Sequence, residues 1–327
     1  NLIEKDKCLP DKYRFLLFER SDQVELIWNG KSHDSSNLVL PFQIIEQVDE
    51  PRREDHFLDQ TSLIDFDTGR QRKGWTNKLV WGDNKYILSS LKNGPFRDEI
   101  EKQGGIKLIY IDPPFDVGAD FSMNVDIGDT SYEKKTNVLE QIAYRDTWGL
   151  GADSFLSMIY ERLVLMKDLL ADDGSIYVHC DWRLNSSLRL IMDEIFGKSN
   201  FINEIIWYFS QGGKSAQYFA RKHNSILFYS KGKQPLFNQK DIRLPFTPHK
   251  QSKSGKNYGG RMGVDEEGRE YVEKWGTGKK KLYRYYLDEG KSCEDVWLDI
   301  QSIQSGAKER INYPTQKPEE LIKRIIK

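Results

Sequence analysis

Paired cysteines, long apolar runs and an excess of one charge are all missing from this chain of 327 residues. Cys8, Cys180 and Cys293 are dispersed, odd in number and without paired spacing, which argues against a disulfide framework and against a zinc site. No metal is therefore expected, and a reducing, cytoplasmic setting is. No apolar stretch approaches the roughly 20 residues that cross a bilayer, and the opening Asn1-Leu-Ile-Glu-Lys-Asp-Lys7 has no apolar signal-peptide core. A membrane is thus not expected among the partners, and no internal repeat appears. The length allows two domains, or one large domain carrying an insertion.

The formal net charge of −1 hides an uneven distribution. From Gln211 to Lys291 there are 18 Lys/Arg against 8 Asp/Glu, so one basic segment sits on an acidic remainder. Tyr218, Phe219, Tyr258, Tyr271, Trp275, Tyr283, Tyr285 and Tyr286 are interleaved with those charges. Cations beside aromatic rings suit phosphates and bases. A solvated charged insertion would carry the same composition.

Residues 1–70 read as a small β-rich appendage. Tyr13–Phe18 and Val24–Trp28 are expected as the strands of a hairpin, followed by a charged, proline-broken linker at Glu46–Asp55. From about residue 75 short apolar runs alternate with helical periodicity, the pattern of an α/β sheet covered by helices. Strands are expected at Lys78–Trp81, Lys107–Ile111, Ser175–His179, Glu204–Phe209 and Ser225–Tyr229. Helices are expected at Asp153–Leu170, stopped by Asp172-Asp173-Gly174, and at Leu184–Phe196, stopped by Gly197. Beyond Tyr229 the pattern dissolves, to resume near Cys293–Ile300, and the interval reads as an inserted subdomain with mobile loops. A last helix is expected after Pro318.

The most informative residues are Asp112-Pro113-Pro114-Phe115, directly after the apolar run Ile106–Ile111. Ligands of open α/β sheets bind at the carboxyl ends of strands. An exocyclic amine is a poor nucleophile because its lone pair is delocalised into the ring. A carboxylate from Asp112 and the carbonyl of Pro113, both accepting its hydrogens, would draw the nitrogen toward tetrahedral geometry without a covalent enzyme intermediate. Phe115 would stack on an extruded base, and the prolines restrict the loop. Alone, Asp-Pro-Pro is also an ordinary turn. A second acidic end is expected at Val80-Trp-Gly-Asp-Asn84, where Asp83 could accept from a nucleoside or cap a helix.

The ordered set Ile111-Asp-Pro-Pro-Phe-Asp-Val-Gly118, Asp173–His179, Met192–Gly197 and Tyr313-Pro-Thr-Gln-Lys-Pro318 resembles the beta-class amino-methyltransferases of bacterial restriction-modification systems, including type III modification subunits. Glu25–Lys31 also resembles a segment found upstream in them. The resemblance implies a Rossmann-like sheet dependent on S-adenosylmethionine, with an inserted target-recognition region that reads double-stranded DNA. It implies catalytic roles for Asp112, Pro113, Pro114 and Phe115, with Asp83 and Asn84 at the cofactor's adenosine and Thr315 and Lys317 at its amino-acid end. Asp in the first position favours adenine N6 as the methylated atom, with cytosine N4 the alternative. A restriction subunit or a second copy are the implied partners. Lys279, Lys280 and Lys281 are candidate phosphate contacts, or a solvated loop.

On this reading residues 1–70 are the appendage and linker, 71–230 the catalytic core, 231–300 the target-recognition insertion and 301–327 the return to the core. The family's Phe-x-Gly-x-Gly cofactor loop is not found after Lys317, so the sheet is expected to be incomplete at its C-terminal end. A non-catalytic DNA-binding fragment is the competing expectation. Tyr258–Gly263 and Gly276–Lys280 read as loops rather than substitutes for it.

Overall fold

A computed structural model describes residues 25–33, 35–45, 77–113, 123–127, 130–134, 152–210, 215–245, 261–276, 281–311 and 315–327. The chain divides into two compact units. The first comprises Asn1–Ile202 with Leu227–Pro235, and the second Asn203–Ile226 with Leu236–Lys327.

The first unit contains α1 (Asn84–Asn93), α2 (Phe96–Lys102), β1 (Ile106–Ile111), β2 (Met123–Ile127), β3 (Thr130–Lys134), α3 (Ala152–Leu169), β4 (Leu170–Cys180) and α4 (Asn185–Phe196). β1 and β4 are parallel, with Ile109 opposite Ile176 and Ile111 opposite Val178, whereas β2 and β3 form an antiparallel hairpin. Next come β5 (Phe201–Tyr208) and β6 (His223–Ser230), each running across the division between the units, and later β10 (Val296–Trp297). Backbone pairing orders this sheet β1-β4-β6-β5-β10. The α/β class is as expected.

Side chains along a strand alternate between the sheet's faces. Ile176, Val178, Cys180, Leu227 and Tyr229 point to one face, where Phe155, Ile159, Leu163 and Met166 of α3 and Leu188, Ile191, Met192 and Ile195 of α4 complete the core. The spacing of three and four that predicted both helices is therefore the spacing of their buried stripes. Burying each fully enclosed Leu or Ile is worth about 1.5–3 kcal/mol. Trp28 joins the same core, its Nε1 donating to Ser157 Oγ at 2.7 Å and its ring edge-on to Tyr160.

Several expectations are corrected. Glu25–Trp28, the described part of the second hairpin strand, is not a strand; the segment is held by Trp28 and by Lys31, which bonds Glu194 at 2.8 Å. Tyr13–Phe18 and Glu46–Asp55 lie outside the described residues. Lys78–Trp81 is not a strand either. Among the described residues no strand pairs with it, and Leu79, Val80 and Trp81 are exposed. Asp172-Asp173-Gly174 is not a helix stop: α3 ends at Leu169 and β4 runs through all three. The pairing with β1 shifts register between Ile106 and Leu108, which accommodates the extra residues. Gly105, at φ 85°, makes the close approach to Ala171 that starts this pairing.

In the second unit β10 pairs in parallel with β5, Trp297 opposite Trp207, and Trp207 Nε1 donates to the Ile300 carbonyl at 2.9 Å. The insertion, expected as a subdomain with mobile loops, contains a three-stranded antiparallel sheet of β7 (Arg261–Val264), β8 (Glu270–Trp275) and β9 (Leu282–Tyr286). Arg261, Met262 and Gly263 thus belong to a strand and not to a glycine loop. Glu273 and Lys274, adjacent in β8, and Arg284 within β9 broke the period-two signal. The turn between β7 and β8 is made by Asp265, whose Oδ1 accepts from the backbone of Glu267 and Arg269, and by Gly268 at φ 83°. α5 (Glu319–Ile326) follows Pro318 as expected.

Candidate active site

Parallel pairing brings the carboxyl ends of β1 and β4 to one edge. The last paired residues are Ile111 and Val178, so Asp112 follows β1 where His179 continues β4. Ile109 and Ile111 face the helical core, so alternation turns Tyr110 to the other face, together with Tyr177 and His179. The Tyr110 hydroxyl and His179 Nδ1 are 2.8 Å apart, with the rings edge-on. Tyr177 stacks on Phe228 at 4.3 Å. His179 is fully buried and Asp112 and Pro113 are half-buried. Burial, and then the charge of Asp112, push the Tyr110 phenol above its ordinary pKa. Burial does the same to Tyr177.

β4 ends on a second acid, Asp181, which is buried. Its Oδ1 accepts from the Arg183 backbone at 2.9 Å and its Oδ2 from Arg183 Nε at 2.7 Å. Trp182, between them, is half exposed beneath the Arg183 guanidinium. The sequence reading missed Tyr110, His179, Asp181 and Arg183. The rule that singled out Asp112, an acid just past a buried strand, applies equally to Asp181.

Asp83 and Asn84 form a second polar group in the same unit. Asp83 is the N-cap of α1, accepting from the Lys85 backbone at 2.9 Å. The same Oδ1 accepts from Arg162 Nη2 at 2.9 Å, while Arg162 Nε bonds the Asn84 side-chain oxygen and Nη1 donates to the Met158 carbonyl. Arg162, buried on α3, was not anticipated; it lies on a helix read only for packing. Asp83 is thus a helix cap, the alternative its position allowed.

Pro114, Phe115, Lys279 and Lys280 lie outside the described residues. Thr315 and Lys317 belong to the second unit, in a turn before α5 where Lys317 Nζ donates to the Thr315 carbonyl at 3.1 Å. Gln316 fixes this turn, donating to the Glu309 carbonyl and accepting from the Ile311 backbone. Lys281 begins the approach to β9, in the second unit. Among the described residues Glu25, His33 and Glu194 gather their ligand atoms closely enough for a metal, but the Lys31 ammonium already bonds both glutamates, at 2.7 and 2.8 Å. No described helix is long and apolar enough to cross a membrane.

A helix-backed sheet whose parallel strands β1 and β4 are followed by Asp112 and Asp181 defines a protein of the α/β class with two acids at one sheet edge. The family is narrower. Residues 106–327 match the N6_N4_Mtase family, described as DNA methylase, and the chain belongs to it. This family of DNA amino-methyltransferases is S-adenosylmethionine-dependent. Among curated relatives, the chain is 23% identical over 307 residues to the type III restriction-modification enzyme EcoP15I Mod subunit of Escherichia coli, covering 89% of this chain and 43% of that one. It is 34% identical over 164 residues to the type II methyltransferase M.EcaI of Enterobacter cloacae, covering 50% of this chain and 31% of the relative. The chain therefore spans less than half the length of either. A solved structure described as an M1.HpyAVI-SAM complex aligns over 75% of this chain and 72% of that one, with 13% identity and a TM-score of 0.34.

Proposed function

We propose that this chain methylates adenine N6 in double-stranded DNA, at an extruded base, with S-adenosylmethionine as methyl donor. The observation that carries the reading is the position of Asp112-Pro113: an acidic side chain followed by a proline carbonyl at the carboxyl end of a parallel strand, beside a second acid-tipped strand. Asp112 and the Pro113 carbonyl would accept from the two amino hydrogens, and Phe115 would stack on the base. The cofactor supplies an electrophilic methyl group when bound. Asp83 and Asn84 would meet its adenosine, their oxygens held in place by Arg162. Lys317 carries the ammonium suited to its carboxylate, with Thr315 beside it. The domain boundaries at residues 70, 230 and 300 belong to this proposal, as do a restriction subunit or a second copy as partner and a cytoplasmic location.

The test is mass spectrometry of nucleosides from DNA incubated with the protein and S-adenosylmethionine. N6-methyladenine in the product, lost in Asp112→Ala with DNA affinity retained, is the expected result. N4-methylcytosine would instead establish the second reading, which the family description equally covers. DNA binding without either product would favour a non-catalytic DNA-binding chain.

A further inference from the structure

Glu25–Lys31 supplies no residue to the site, and we infer that it anchors a brace, formed by residues 25–42, that positions the Asp83–Asn84 end of α1. What this means for a cofactor rests on the reading of Asp83 and Asn84 proposed above; the bracing itself does not. Asn29 and Gly30 turn the chain, Gly30 at φ 84° and the Lys31 N–H donating to the Trp28 carbonyl at 3.3 Å. The turn lets Trp28 enter the core while Lys31 returns beside it, its Nζ lying 5.0 Å from the Trp28 ring and 5.5 Å from the Tyr160 ring. An ammonium has three hydrogens, and this one finds Glu25 at 2.7 Å, the Leu26 carbonyl at 3.0 Å and Glu194 of α4 at 2.8 Å. The Lys31 side chain is only 8% exposed. Tyr160 of α3 closes the cage by donating to the other Glu194 oxygen at 2.9 Å. Carboxylates and ring faces around one cation fix the start of the brace to α3 and α4.

Past residue 34 the same segment reaches α1. The Ser36 N–H donates to Glu161 Oε1 at 3.1 Å, the Ser36 carbonyl accepts from Ser89 Oγ at 2.8 Å, and the Leu40 N–H donates to Ser90 Oγ at 2.9 Å. Phe42 then meets Phe96 of α2 at 5.4 Å. Ser89 and Ser90 are buried on α1, and a buried hydroxyl is costly without a partner. Here the partners are the backbone of the brace. Leu88 adds apolar packing against the core. Glu161 links brace and helix, because its other oxygen bonds Lys85 Nζ at 3.0 Å in the first turn of α1. The next residue of α3, Arg162, holds Asp83 and Asn84. Residues 25–33 and 35–45 contain no helix or strand, so the brace owes its order to these anchors. Loss of the Lys31 cage should release Ser36 and Leu40 and loosen the end of α1 that carries Asp83 and Asn84.

Hydrogen exchange of the 327-residue chain, read by mass spectrometry, tests this. Lys31→Ala should speed exchange in α1 at least about tenfold while β4 and β6 change by less than about twofold, because the brace opposes local opening. Propylammonium, the group that this substitution removes, should restore slow exchange, and potassium at the same concentration should not. Ser90→Ala cuts the other end of the brace with the cage intact; it should speed α1 in the same way, and it decides the matter where Lys31→Ala does not fold. In titrations with S-adenosylmethionine both variants should lose at least about fivefold in affinity, the range of an ordinary coupling between sites. Exchange in α1 that is unchanged in both variants, or accelerated equally with β4 and β6, overturns the brace. Faster exchange in α1 beside an unchanged cofactor affinity, or beside a wild-type chain that takes up no cofactor, upholds the brace and overturns the part given to Asp83 and Asn84.

Discussion

The Tyr110 hydroxyl lies 2.8 Å from Nδ1 of His179, on the face of the sheet opposite the helical core. With its phenol held above the ordinary pKa by burial and by Asp112, Tyr110 keeps its proton at neutral pH, within hydrogen-bonding distance of the His179 ring. This ties the residue two before Asp112 to the strand alongside. Tyr110→Phe is expected to slow methyl transfer about fivefold, the equivalent of one hydrogen bond's net 1 kcal/mol or so, with DNA affinity unchanged. His179→Asn keeps an amide group near the Nδ1 position and should retain more of the rate than His179→Leu. Single-turnover kinetics beside equilibrium DNA binding would decide: equal losses in rate and affinity in all three variants would contradict a positioning role.

Arg162 is buried and ties Asp83 and Asn84 to α3. Removing it takes the Arg162 donor from the Asn84 oxygen and leaves the Asp83 carboxylate with the Lys85 backbone but without its charge partner, and breaking a buried pair of this kind costs about 3 kcal/mol. Arg162→Met should approach that value in urea denaturation. Asp83→Asn should cost only about 1 kcal/mol, because asparagine remains a favoured helix cap. If the two substitutions destabilise equally, the cap and not the arginine governs this corner.

Gly105 combines a positive φ of 85° with a backbone approach in which an added Cβ would stand 2.7 Å from Ala171 N and Cα. Neither cost can relax through a side-chain rotation, because the opposing atoms are main chain. Gly105→Ala should therefore destabilise by more than about 2 kcal/mol. Gly268, at φ 83° with open space around it, carries only the conformational cost, so Gly268→Ala should lose about 1 kcal/mol. Thermal unfolding of the pair separates strain from collision.

The core was legible because its signal is local. Phe155, Ile159, Leu163 and Met166 declare a buried helical stripe by spacing alone, and Asp112 declares a site by following a buried strand. Arg162 was not legible, since a charged residue on a packing helix reads as solvated until its partners, 78 and 79 residues away, are known. Lys78–Trp81 misled for the opposite reason. Its apolar run satisfies the pattern of a strand, but a strand exists only through a neighbour, and sequence periodicity carries no information about pairing. The β7-β8-β9 sheet hid because Glu270, Glu273 and Lys274 put charge on both faces of β8 and leave no apolar face to read.

In the second unit, Arg324 bonds both carboxylate oxygens of Asp299 and lies over the Trp297 ring. The hydrogen bond from Arg324 is the largest of the influences that hold the Asp299 carboxyl below its ordinary pKa. A depressed folded pKa means that the stabilisation is fully present above the unfolded value, about 3.9, and is lost as pH falls through the folded one. Asp299→Asn should thus be less stable than wild type at pH 7, and the gap should close below about pH 4. The Asp299 side chain is 45% exposed, so solvent screening keeps the gap under about 1 kcal/mol. Urea denaturation of both proteins from pH 7 down to pH 3 would measure it. A gap constant across that range would mean that Arg324 stabilises through its packing on Trp297 and not through the charge of Asp299.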